Sequence, residues 1–176
     1  VMNVRIIILL ISLLALISCD GAEQRQAFYM EKAKSSLMSK DYDKAKIDLK
    51  NALQINPKSS EAIYLLGTIN EEKGEYEGAF KLYARAIEYD EKNIDAINRL
   101  AIFHLHASQI EKTNELLERI ESISPGHAYI KSLKAAIQYS NKNYEEAIKV
   151  IDTIATSDRS ENIYTLYAAS SFELGD

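Results

Sequence analysis

Apolar residues recur along most of the chain at the spacing of amphipathic helices, and short polar segments interrupt this pattern. The clearest interruptions lie at residues 39–41, 73–75 and 141–143, which read Ser-Lys-Asp, Lys-Gly-Glu and Asn-Lys-Asn. Short polar segments of this kind are typical of turns. The chain also has only two prolines and six glycines, so few residues would break a helix. The pattern therefore predicts an all-α chain of short helices joined by tight turns.

The same residue types return every 34 positions. Four columns show the period: Tyr42, Tyr76, Ile110 and Tyr144; Ala33, Gly67, Ala101 and Ala135; Ala45, Ala79, Thr113 and Ala147; Leu49, Tyr83, Leu117 and Ile151. Where two antiparallel helices cross most closely, only a small side chain fits, which explains the columns of alanine and glycine. Pro57 and Pro125 would stop the second helix of a pair. The period predicts two-helix repeats at 26–59, 60–93, 94–127 and 128–160, with a partial repeat at 161–176.

This period, together with its small residues, resembles the tetratricopeptide repeat (TPR). In the second repeat, Gly67, Ala79, Tyr83 and Ala86 occupy the family's small and aromatic positions. The resemblance covers nearly all of the chain after its first two dozen residues. It implies a right-handed α-solenoid of helix-turn-helix repeats. Because residues 161–174 correspond to a first helix without its second, we expect the chain to be part of a longer protein.

The first 18 residues have the features of a secretory signal peptide. Arg5 precedes an apolar stretch over residues 6–16. This stretch is shorter than the roughly 20 residues that a transmembrane helix needs. We therefore predict a cleaved signal peptide at 1–18 and not a permanent membrane-spanning anchor.

The segment Leu-Ile-Ser-Cys that ends at Cys19 resembles the lipobox of bacterial lipoproteins. The resemblance implies that Cys19 becomes the first residue of the mature protein and carries diacylglycerol and a further acyl chain such as palmitate. Residues 19–25 would then form a tether. We expect a lipid anchor on the periplasmic side of the cell envelope, and Asp20 directly after the cysteine favours the inner membrane.

Composition and charge argue against several functional classes. The chain has a net charge of -5, and its acidic residues are spread along it, whereas nucleic-acid binding needs clustered lysine and arginine. No glycine-rich phosphate loop and no paired-cysteine metal motif is present. His104 and His106 would point to opposite sides of a helix, and His127 lies in a loop. We therefore expect no enzyme activity, no cofactor, no metal, no nucleic-acid partner and no small-molecule substrate.

The TPR resemblance also implies a binding surface, because the first helices of successive repeats line a concave groove that takes a peptide or protein segment. The family's groove positions in the first repeat fall on Met30, Lys34, Leu37 and Met38. In the later repeats the predicted binding residues are Tyr64, Glu71, Glu72, Asn98, Ile102, Tyr129 and Tyr139. The tyrosines would supply contact area, and Glu71 and Glu72 would favour basic residues on the partner.

The segment YMEKAKSSLMSKDYDKAKIDLKNALQINPKSSEAIYLLG is most similar to the long TPR lipoproteins of PEP-CTERM and exosortase systems, which serve surface-polymer export and protein sorting. The resemblance implies a membrane-anchored scaffold for protein or peptide partners. Two alternatives stay open. One is a TPR lipoprotein of pilus or secretin assembly, and the other is the recognition arm of an enzyme, such as a glycosyltransferase, whose catalytic domain follows.

Overall fold

The computed structural model describes the backbone of residues 4–175 and the side chains of residues 21–175. Within that part of the chain, the structure consists of helices and contains no strand. The α-helices are α1 Val4–Met38, α2 Tyr42–Ile55, α3 Ser60–Glu72, α4 Tyr76–Tyr89, α5 Ile94–His106, α6 Ile110–Ile123, α7 Ala128–Ser140, α8 Tyr144–Asp152 and α9 Glu161–Leu174. The predicted all-α fold of helix-turn-helix repeats is confirmed.

The turns inside the helix pairs follow the 34-residue period of the sequence. A residue with a left-handed backbone lies two positions after the first helix of each pair, at Lys40, Gly74, Ser108 and Lys142. This conformation costs glycine little and other residues more, and it reverses the chain directly after a helix. The next helices, α2, α4, α6 and α8, therefore begin at equivalent positions.

Polar side chains cap several helix starts. Asp41 accepts a hydrogen bond from the amide of Lys44 at 3.2 Å, and Asn93 accepts one from the amide of Ala96 at 3.0 Å. Each cap satisfies an amide that has no partner within its helix. These caps therefore define the starts of α2 and α5.

The chain divides into two compact units after Glu91. Unit 1 contains α1 to α4, and unit 2 contains α5 to α9. In unit 1, a core of mostly small and branched residues joins the first helix pair to α3. Its buried members are Met30, Ala33, Ala45, Leu49, Ala52, Ala62 and Ile69.

The second helix pair of unit 1 is centred on Gly67 and Tyr83. Tyr83 has no exposed surface, and its ring lies where a side chain at position 67 would otherwise be. A Cβ atom on residue 67 would lie 2.6 Å from Cε1 of Tyr83. The absence of a side chain at Gly67 is therefore what admits an aromatic ring at this helix crossing.

In unit 2, the last helix pair differs from the others in its second helix. Helix α8 has nine residues, against 14 in α6, and a 3-10 turn at Thr156–Asp158 follows it. Ile154 remains buried beside Ala135, Ile151 and Ile163 although it lies beyond the end of α8. The shortened helix therefore still closes the core beneath α9.

Unit 1 also contains a buried carboxylate. Asp48 is 4% exposed, and its Oδ2 has no hydrogen-bond partner among the described residues. Its Oδ1 lies 3.7 Å from Nζ of Lys32. The equivalent positions of the later repeats hold Leu82, Leu116 and Val150, so the first repeat replaces an apolar residue by an acidic one.

Cys19 and Asp20, the residues predicted to carry and to sort the lipid anchor, lie outside the residues whose side chains the structure describes. Within residues 21–175, no helix combines the length and the apolar character that a membrane span requires.

Candidate functional site

The candidate binding surface is the side of each unit formed by the first helices of the pairs, which we call the first-helix face. In unit 1 this face is built from α1 and α3, and in unit 2 from α5, α7 and α9. A cleft of about 410 Å³ opens on the unit 1 face. Its lining residues are Glu23, Gln26, Ala27, Met30, Glu31, Lys34 and Glu61.

Among the predicted binding residues of unit 1, the aromatic one is Tyr64. Its ring is half-buried and lies 5.8 Å, centre to centre, from the ring of Tyr83. The Tyr83 hydroxyl passes between the helices and donates a hydrogen bond of 2.6 Å to Oε2 of Glu71. The core residue Tyr83 therefore supports two of the predicted binding residues at once, Tyr64 through its ring and Glu71 through its hydroxyl.

Glu72 is also engaged by a tyrosine from a second helix. The Tyr42 hydroxyl donates a hydrogen bond of 3.0 Å to Oε2 of Glu72. This bond, followed by desolvation and the negative charge of Glu72, raises the pKa of the Tyr42 phenol above its usual value. Beside it, Nζ of Lys73 lies 2.6 Å from Oδ1 of Asp43. The end of α3 is thus held to the start of α2, and Glu72 takes part in that contact.

The first repeat contributes less apolar surface to the face than the sequence suggests. Met30 was predicted as a groove residue, but it is 6% exposed and belongs to the core of unit 1. Met30 therefore offers the cleft only a small part of its side chain. Met38, at the end of the same helix, is 88% exposed. Lys34 is exposed and forms an ion pair of 2.6 Å with Glu61.

In unit 2, two of the predicted binding residues are tyrosines of α7. The Tyr129 hydroxyl donates a hydrogen bond of 2.8 Å to Oδ1 of Asp95, and the Tyr129 ring lies 4.6 Å from that of His127. Tyr139 is half-buried, with its ring 5.4 Å from that of Tyr144. Both rings are therefore held by neighbours while keeping part of their surface exposed.

The predicted residues on α5 are more buried than the tyrosines. Asn98 is 8% exposed, and Ile102 is half-buried. A partner that lies on α5 would reach Ile102 more easily than Asn98. Tyr129, Tyr139 and Ile102 thus keep part of their surface accessible, whereas Asn98 offers little.

The histidines have local roles in unit 2. Nδ1 of His104 lies 2.8 Å from Oε1 of Gln109, and Nδ1 of His127 accepts a hydrogen bond from the amide of Tyr129 at the start of α7. No group of three histidine, cysteine, aspartate or glutamate side chains within residues 21–175 is placed to hold a metal ion. The geometry presents surface for contact and brings together no recognisable set of reacting groups among the described residues.

A comparison with known protein families decides the classification. A sequence profile for the tetratricopeptide repeat matches residues 70–137 and again 104–169, which together span more than half of the chain. A second tetratricopeptide repeat profile matches residues 26–59. The chain belongs to the tetratricopeptide repeat family. TPR arrays are in general non-catalytic scaffolds that bind protein partners.

Solved TPR structures have the same fold. The chain is similar to Pseudomonas aeruginosa pilF, with a TM-score of 0.70 and 17% identity over 88% of this chain and 71% of the other. It is similar to MamA, with a TM-score of 0.61 and 17% identity over 87% of this chain and 84% of MamA. It is also similar to Thermobaculum terrenum O-GlcNAc transferase, with a TM-score of 0.64 and 23% identity over 74% of this chain and 25% of the transferase. No curated protein matches the sequence. At these identities, the structural matches show a shared TPR fold and nothing further.

Two features of this TPR surface were missed by the sequence analysis. One is the pair of hydrogen bonds that the hydroxyls of Tyr83 and Tyr42 donate to Glu71 and Glu72, respectively. The other is the acidic lining of the cleft by residues of α1. The hydrogen bonds depend on side-chain rotamers, which the 34-residue columns of the sequence cannot show. The second was visible in the sequence as acidic residues on the cleft side of α1.

Proposed function

We propose that this chain is a lipid-anchored TPR scaffold of the bacterial cell envelope whose first-helix faces bind an extended segment of a protein partner. The observation that carries the proposal is the set of half-buried tyrosines on those faces: Tyr64 in unit 1 and Tyr129 and Tyr139 in unit 2. Tyrosine covers a large contact area at a low cost in conformational entropy. A surface of this kind serves recognition and does not by itself make or break bonds.

The neighbours of these tyrosines support the proposal because they hold the rings before any partner arrives. Tyr129 is held by Asp95, Tyr64 lies beside the buried ring of Tyr83, and Tyr139 lies beside Tyr144. Side chains that are already ordered lose less entropy on binding. We therefore expect the tyrosines to contribute more to affinity than the exposed charged residues around them.

For the cellular pathway, we propose a role beside PEP-CTERM and exosortase systems, in surface-polymer export or protein sorting. Support comes from the similarity of the first repeat to the long lipoproteins of those systems. A second candidate is a TPR lipoprotein of pilus or secretin assembly, and the fold shared with pilF is compatible with it. A third is the recognition arm of an enzyme, with which the match to one quarter of an O-GlcNAc transferase is compatible.

The anchor is tested by replacing Cys19 with serine. Serine cannot form the thioether to diacylglycerol, so we expect the C19S chain to lose its lipid and to keep its signal peptide at that site. Intact-mass spectrometry of the protein from its native host would show the acylated mature chain for the wild type only. An unmodified Cys19 in the mature wild-type protein would contradict the lipid anchor and would leave the TPR assignment untouched.

The binding face is tested with a pair of tyrosine variants. We expect Tyr139→Ala to weaken partner binding by about 1–2 kcal/mol, or roughly 5- to 30-fold, because an anchor ring is lost. Tyr89→Ala is the matched control, since Tyr89 is a partly exposed tyrosine on the second helix α4. The measurement is quantitative mass spectrometry of proteins that co-purify with the tagged full chain from host membranes. Equal partner recovery with Y139A and wild type would count against the proposed face.

A further inference from the structure

The cleft on the first-helix face of unit 1 is predominantly acidic, and we call it the acidic cleft. Its carboxylates belong to Glu23 and Glu31 on α1 and Glu61 on α3, and its single basic group is Lys34. Ala27 and the largely buried Met30 supply apolar lining. The cleft therefore combines negative charge with an apolar wall, a combination that suits a long basic side chain with an aliphatic stem.

The acidic residues of this face differ in what already engages them. Glu61 is paired with Lys34 at 2.6 Å, and Glu71 and Glu72 accept hydrogen bonds from Tyr83 and Tyr42. Glu23 and Glu31 are exposed, and neither forms an ion pair with another described residue. The carboxylates best placed to receive a new cation are therefore Glu23 and Glu31, and not the two glutamates that the sequence indicated.

We propose that the acidic cleft binds a basic, extended protein segment through Glu23 and Glu31, an inference that rests on the proposed scaffold function and specifies its partner. Arginine fits this position especially well because its guanidinium pairs with a carboxylate through two parallel hydrogen bonds. The aliphatic part of such a side chain would lie on Ala27 and Met30. Charge complementarity thus selects a basic partner.

The distance between the two glutamates adds a spacing rule. Eight residues of α-helix rise by about 12 Å, which separates Glu23 from Glu31 along α1. An extended chain advances by about 3.3 Å per residue, so basic residues about four positions apart would reach both carboxylates. None of the predicted binding residues on the unit 2 face is acidic (Asn98, Ile102, Tyr129 and Tyr139), and Asp95 beside them already accepts a hydrogen bond from Tyr129. We therefore expect the requirement for basic residues to come mainly from unit 1.

The test is a selection of random 12-residue peptides displayed on phage against the immobilised full chain in detergent. We expect enrichment of peptides with arginine or lysine about four residues apart. Fluorescence anisotropy with one selected peptide should then show at least tenfold weaker binding to the E23Q/E31Q double variant. The control is E88Q/E118Q, which removes two exposed glutamates from second helices and makes the same change in net charge. It should bind within about twofold of the wild type.

Three results would overturn the inference: no enrichment of basic peptides, equal binding by wild type and E23Q/E31Q, or equal losses in the two double variants. The last would indicate attraction by overall charge and not by the cleft. The tyrosine variants test the scaffold proposal separately from the basic-segment inference. If Tyr139→Ala abolishes partner recovery in host membranes while E23Q/E31Q leaves peptide binding intact, the basic-segment inference fails alone.

Discussion

Replacing Tyr83 by alanine should lower the free energy of unfolding by about 3–5 kcal/mol, the usual cost of removing a large buried aromatic side chain. Tyr83 is fully buried between α3 and α4, so its removal leaves a cavity against Gly67, which has no side chain to fill it. Glu71 also loses the hydrogen bond from the phenol. Urea unfolding of the full chain, followed by far-ultraviolet circular dichroism, measures the change.

Tyr76→Ala provides the matched control for this prediction. Tyr76 is the same residue type, stands at the start of the same helix, and is 61% exposed. Its replacement should change the free energy of unfolding by less than about 0.5 kcal/mol, as is usual for exposed positions. Similar losses in the two variants would mean that Tyr83 does not occupy the core position described above.

The second large effect is expected from the smallest change, Gly67→Ala. Alanine favours helix over glycine by about 1 kcal/mol, so an unhindered site would be stabilised. Here the new methyl group would lie 2.6 Å from the ring of Tyr83, which is fully buried. Overpacking of this kind costs about 1–3 kcal/mol, and we expect a net loss of stability despite the gain in helix propensity.

The other repeats indicate how this loss should be repaired. They pair alanine at the crossing with a smaller partner: Ala33 with Leu49, Ala101 with Leu117, and Ala135 with Ile151. The double variant G67A/Y83L recreates that combination in repeat two. Its loss of stability should be smaller than the sum of the single losses, with a coupling of about 0.5–3 kcal/mol. If the losses in the free energy of unfolding were additive, residues 67 and 83 would not be in contact.

The 34-residue columns were sufficient to predict the helix pairs because each column reports a steric requirement. Gly67 is glycine and Ala33 is alanine since backbone and side chain meet there in every pair, and the requirement recurs with the period. Three of the four turns were predicted from their short polar segments, whereas the turn at Ser108, which has the same left-handed backbone, was not. A requirement that recurs several times can be recognised without knowledge of the structure.

Features that occur once were harder to predict. The partners of Glu71 and Glu72 come from different second helices and depend on rotamers, so the sequence suggested two free acids where the structure has hydrogen bonds. Met30 occupies a family groove position, yet its flexible side chain turns into the core. Asp48 could have been noticed in the sequence, because the equivalent positions of the later repeats hold leucine or valine. Its burial could not have been predicted from the sequence.

The central claim, that the first-helix faces bind the partner, is tested most directly by site-specific photocrosslinking in the native host. A photoreactive residue would be placed at Tyr64 and at Tyr139 on these faces, and at Lys81 on the second helix α4 as the control position. We predict protein crosslinks from Tyr64 and Tyr139 and few or none from Lys81. Equal crosslinking at all three positions, or none at the two tyrosine positions, would contradict the claim.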